Sequence, residues 1–142
     1  MTRRLLPIAI LGLAFSFAFS SGLLSRTASA EQEKGKAAGS VAEGRKLFTR
    51  NCASCHGADG KGGGPVAKNL KTAPPDLTRI EKVDGKFPTD RIQQQIQGET
   101  MTTSHGTREM PVWGSVFRRQ AGEGFAKLEI YNLTKYLESI QQ

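Results

Sequence analysis

Cys52-Ala53-Ser54-Cys55-His56 decides the reading of this 142-residue chain. These are its only two cysteines; they stand three apart, and a histidine follows the second directly. In an exported protein such a pair can close a disulfide or act as a CxxC redox couple. Thioredoxin-like chemistry wants the pair at a helix N-terminus beside a βαβ unit, and no strand-like alternation surrounds it. A closed zinc site needs four nitrogen or sulfur ligands, and only Cys52, Cys55, His56 and the distant His105 can offer them. One reading uses the whole pentapeptide. Two thiols near the end of a helix form thioethers to the two vinyl groups of a haem, and His56 is delivered to the iron as proximal ligand. One covalently bound haem c, with its iron, is the cofactor expected.

The first thirty residues supply the compartment. Arg3 and Arg4 precede a nearly all-apolar stretch, Leu5–Phe19, and Ala28-Ser29-Ala30 closes it in an A-x-A pattern. A charged start, an apolar segment of about 15 residues and a small-residue exit describe a secretory signal peptide over 1–30, cleaved after Ala30. The rival is a retained membrane anchor running on through Leu24, about 20 residues and just enough to span. Pro7, Gly12, Ser16, Ser20 and Ser21 interrupt that span. The expected location is the periplasm, with an inner-membrane anchor facing the periplasm as the alternative.

Cleavage changes the charge argument. Three of the 20 basic residues lie in 1–30, which leaves 17 against 13 acidic ones and a net charge of +4 in place of +7. No Lys/Arg stripe is interleaved with aromatics, so nucleic acid is not an expected partner. The residual positive charge suits either docking to an acidic redox protein or a plain solvated surface.

Residues 31–40 are polar, small and unpatterned, and predict a flexible tether. The domain proper is 41–142. Its first helix runs from Val41 to about Asn51. Five glycines and three prolines then forbid regular structure over 57–78. A second helix fits Asp90–Gln97, with Thr89 as N-cap, Ile92 and Ile96 as its buried pair and Gly98 as its stop. A loop over 98–112 leads to a short helix at Trp113–Gln120. The last helix, Gly124–Ser139, carries the cleanest apolar period: Phe125, Leu128, Tyr131 or Ile130, Leu133, Tyr136 or Leu137, and Ile140. The fold class is a small all-α domain of about three to five helices. With two long loops and thin helices it buries little apolar surface, and needs a large staple at its centre.

A sixth ligand would come from the second loop, where Met101, His105 and Met110 are the candidates. Met110 precedes Pro111, which biases it towards an extended backbone, and Trp113 follows as a flat wall. Met110 is the favoured ligand; His105, Met101 or an open site are the alternatives.

These residues resemble the class I c-type cytochromes over nearly all of 41–140. Gly44-Arg-Lys-Leu-Phe48-Thr-Arg-Asn-Cys52-Ala-Ser-Cys55-His56-Gly57 looks like that family's opening helix, and Leu133-Thr-Lys-Tyr136-Leu137 its closing one. The resemblance implies a close helix crossing, with Gly44 and Phe48 packed on Leu133 and Tyr136. Pro75-Asp76-Leu77 looks like the family's Pro-x-Leu segment, which implies that the Pro75 carbonyl accepts a hydrogen bond from His56 and that Leu77 packs on the haem, with Pro65 a weaker competitor for Pro75. Met110-Pro111-Val112-Trp113-Gly114 looks like its distal-ligand segment. The function implied is one-electron transfer by a His/Met-ligated carrier rather than an enzyme, either monomeric or as a subunit of a larger periplasmic oxidoreductase, with redox proteins as partners.

Overall fold

The computed structural model describes residues 22–99 and 110–142, with side chains from residue 31 onward. Five helices make it up: α1 (Gly22–Asn51), α2 (Ala53–His56), α3 (Thr89–Gln97), α4 (Trp113–Ala121) and α5 (Glu123–Ser139). Two 3-10 turns, Ala67–Asn69 and Leu77–Arg79, punctuate the first long loop. One isolated bridge joins Val83 to Lys86, and no strand forms among the described residues. The fold is the small all-α one expected.

The expected tether over 31–40 is corrected. Those residues continue α1 as helix, and residues 31–39 are exposed throughout. Seven of the ten are Glu, Gln, Lys or Ala, strong helix formers that outweigh Gly35 and Gly39, and no proline interrupts them. Apolar periodicity is blind to such a stretch, because a helix with nothing to bury has no apolar face. Burial begins at Ser40, whose hydroxyl donates to the Lys36 carbonyl at 3.1 Å.

The core is built on the crossing of α1 and α5. Leu47 and Phe48 from α1 meet Ala126, Ile130, Leu133, Tyr136 and Leu137 from α5, with Ile96 from α3 and Phe117 from α4 closing the sides. The Phe48 and Tyr136 rings sit 5.2 Å apart, tilted by 49°, within the range where aromatic pairs attract. Gly44 lets the backbones meet. A Cβ placed there would collide with the Asn132 carbonyl oxygen and stand 2.7 Å from Tyr136 Cβ.

Two sequence expectations shift in detail. On α5 the buried stripe is Ala126, Ile130, Leu133 and Leu137, whereas Phe125 and Leu128 are 65% and 52% exposed. The helix carries two apolar stripes, and its neighbours cover one. On α3 the N-cap is Pro88 rather than Thr89, which is already helical and makes no side-chain cap. The Pro88 carbonyl accepts the first bond, from the Ile92 N–H at 3.0 Å. At the other end Gly98 stops the helix in the left-handed region, φ 82°, as a glycine should.

Candidate functional site

Helix α1 breaks at Cys52, and α2 makes one further turn through the pentapeptide. The Cys55 and His56 N–H groups both donate to the Cys52 carbonyl, at 3.1 and 2.9 Å. Positions i, i+3 and i+4 of a turn share one face, so Cys52, Cys55 and His56 lie side by side. Both cysteines are free thiols, each half-buried.

A four-residue helix leaves its carbonyls unpaired, and the glycine-rich loop supplies the missing donors. Gly62 N–H reaches the His56 carbonyl at 2.7 Å, Gly64 N–H the Cys55 carbonyl at 3.1 Å, and Val66 N–H the Ser54 carbonyl at 2.9 Å. The backbone must come very close to do this. A Cβ on Gly64 would collide with the Ser54 carbonyl oxygen, and one on Gly62 (φ +89°) with that of Pro74. Sequence reading found this loop without finding its task. The signal was there in Gly62-Gly63-Gly64, but only the geometry says which atoms approach.

The same loop carries Pro75 to the histidine. His56 Nδ1 lies 3.4 Å from the Pro75 carbonyl oxygen. A carbonyl can only accept, so the proton of this contact sits on Nδ1 and Nε2 keeps its lone pair. Burial, partly opposed by the Pro75 contact, lowers the affinity of His56 for a second proton. Burial also pushes the Cys52 thiol up to about 12, with the neighbouring Cys55 adding to the shift. Downstream, the Asp76 carboxylate receives the Thr78 N–H at 2.8 Å and the Thr78 hydroxyl at 2.7 Å, and those two bonds hold its carboxyl below the usual range. Leu77 is half-buried against the core.

Of the other residues singled out, Leu133 is fully buried at the crossing and Trp113 stacks on Phe117 with centroids 5.8 Å apart. Met110 lies just ahead of α4 with 40% of its surface exposed. Its segment is anchored at Val112, on which Gly98 closes so tightly that a Cβ there would come within 2.6 Å of Val112 Cγ1. Pro65 begins the turn that leads to Val66, and the Pro75 carbonyl, not that of Pro65, is the one at His56. Met101 and His105 fall outside the described residues, as does the apolar stretch Leu5–Phe19.

The profile of the Cytochrome c family matches residues 41–141. The chain belongs to the cytochrome c family. Membership implies covalently bound haem c with its iron, and Cys52 and Cys55 stand where the family's CxxCH motif places its thiols. A cytochrome c domain of this kind is an electron carrier. Two curated relatives are the cbb3-type cytochrome c oxidase subunits FixP of Sinorhizobium medicae (strain WSM419) and of Rhizobium meliloti (strain 1021). Each is 34% identical over 73 residues, 51% of this chain and 21% of the relative. The cytochrome c chain thus spans about a fifth of the length of those proteins. No solved structure gives a significant match. Among the described residues no helix is long and apolar enough to cross a membrane.

Proposed function

We propose that this chain is a monohaem c-type cytochrome that passes single electrons in the periplasm, with His56 and Met110 as axial ligands. The observation that carries it is the single helical turn that puts two free thiols and a histidine on one face, with the histidine's Nδ1 aimed at the Pro75 carbonyl. That donor set fits the family's cofactor. Haem, when bound, supplies a one-electron Fe(III)/Fe(II) couple.

The chain's own residues hold and tune it. Cys52 and Cys55 are the tethering thiols. His56 offers Nε2, and Pro75, by keeping the proton on Nδ1, fixes the tautomer and raises the basicity of the ring. Leu77 and Trp113 supply apolar wall. Met110 brings a soft thioether on a segment that Val112 and Trp113 anchor at both Gly98 and Phe117. Exchange of one electron needs no acid or base group. The arginine pair, the apolar stretch and the A-x-A exit support export and cleavage after Ala30.

The test is expression with haem-maturation machinery followed by acid-acetone extraction. The wild type is expected to keep its haem through extraction and to titrate with one electron, while the Cys52→Ser/Cys55→Ser double variant loses all covalent haem. Apo-protein with a Cys52–Cys55 disulfide would sink the reading.

One observation favours a second reading, a cytochrome subunit of a larger periplasmic oxidoreductase. Phe125, Leu128 and Tyr131 form an exposed apolar stripe on α5, with Phe125 65% open. Exposed apolar patches often mark protein contacts, and the two relatives are named as oxidase subunits. A permanent subunit is expected to elute from size exclusion together with its complex, a shuttle at the mass of one chain.

A further inference from the structure

The side chain of Gln141, two residues beyond α5, reaches back 61 and 64 positions along the chain. Its Nε2 donates to the Leu77 carbonyl and to the Leu137 carbonyl, each at 2.7 Å, and its Oε1 accepts the Ile80 N–H at 3.0 Å. Two acceptors face the amino end and one donor the oxygen end, so the amide has a single orientation that satisfies all three. The Gln142 N–H adds a fourth bond, to the Thr78 carbonyl at 3.0 Å.

We propose that Gln141 is a positioning residue for the haem's proximal ligand: it bolts the Leu77–Ile80 turn to the end of α5 and thereby sets where the Pro75 carbonyl meets His56. This rests on the haem reading above and deepens it. Pro75 belongs to a short strap held at two ends. At the near end the Leu77 N–H donates to the Gly60 carbonyl at 2.7 Å, and Gly62 abuts the Pro74 carbonyl. At the far end the side-chain fastening is Gln141, beside the single backbone bond from Gln142 to Thr78. In between, the Asp76–Thr78 turn makes the strap stiff, so a displacement at Leu77 is passed on to Pro75 rather than absorbed.

The distances show why this matters. At 3.4 Å the His56–Pro75 contact is near the outer limit for a hydrogen bond, whereas the Gln141 bonds are short and strong. A strap that shifts by a few tenths of an ångström breaks the former. An imidazole relieved of that bond is a weaker donor to iron and favours the reduced state.

Three holoproteins decide it: wild type, Gln141→Met, which keeps the shape and loses all three bonds, and Ser139→Ala, which removes a 2.7 Å bond to the Tyr136 carbonyl at the same end of α5. The readouts are solvent exchange of the His56 Nδ1 proton by NMR and the midpoint potential. Gln141→Met is expected to exchange that proton faster than the wild type, by loss of an orienting partner of the ligand, and to raise the potential; Ser139→Ala should move neither. If Gln141→Met is merely less stable, with exchange and potential as in wild type, Gln141 is structural only and the proposal falls. Wild-type protein without covalent haem would overturn the haem reading itself, and this proposal with it.

Discussion

Gly44→Ala is expected to cost about 3 kcal/mol or more of stability, while the same change at Gly39 in the same helix should stabilise or do nothing. The two sites differ only in what the new methyl meets. At Gly44 the Cβ runs into the Asn132 carbonyl, with the Asn132 carbonyl carbon 2.6 Å away. Those are backbone atoms of α5, which cannot swing aside as a side chain would. Overpacking a core usually costs about 1–3 kcal/mol, and a rigid obstacle puts this case at the upper end. A domain of this size has only about 5–15 kcal/mol in total. At Gly39 nothing lies within 4 Å, and replacing an exposed helical glycine by alanine gains up to about 1 kcal/mol. Urea unfolding of the two holoproteins checks both signs at once. Equal midpoints for the two variants would mean that α1 and α5 do not meet at Gly44.

Met110→Ala should have the larger effect on chemistry. If Met110 fills the sixth position, the reduced variant is expected to bind carbon monoxide where the wild type does not. Its midpoint potential should also fall, because a thioether ligand raises the potential. Axial ligands set haem potentials over a range of about 0.8 V, so a drop on the order of 0.1 V or more is expected. Should His105 be the ligand instead, Met110→Ala would leave both measurements unchanged and His105→Ala would move them. Wild-type protein that itself binds carbon monoxide would point to an open iron and a ligand-binding role.

How much of this was legible beforehand depends on what kind of interaction fixes each part. The motif was readable because it rests on residue identity at fixed spacing, and a CxxCH turn needs no tertiary context to place its three side chains on one face. Helices α3, α4 and α5 were found within a residue or so of their bounds, because apolar period and glycine stops mark them locally. Which stripe of α5 faces inward was not readable. Phe125 and Leu128 are as apolar as Ile130 and Leu133, and only the position of α1 decides between them. The helical stretch 31–40 was missed for the opposite reason, having propensity without pattern. The Gln141 bolt left no trace at all. A glutamine gains its meaning from a turn 61 to 64 residues away, and no local rule connects the two. Gly44 lay between these cases: the resemblance to the family pointed to it, and the clash with Asn132 explained why.

The Gly44–Asn132 meeting also says something about time. It joins segments nearly ninety residues apart, so forming it closes a very long loop, at an entropic cost of about 4 kcal/mol on a (3/2)RT ln n scale. The helices on either side can each form within about a microsecond. The crossing must wait for a search across the whole intervening chain. Helical domains are ordinarily placed among the fast folders, yet this crossing and the Gln141 ties to Leu77 and Ile80 are distant contacts that raise the contact order. Folding should therefore resemble the closing of a buckle more than the zipping of a bundle, with Phe48 and Tyr136 arriving at the same late moment.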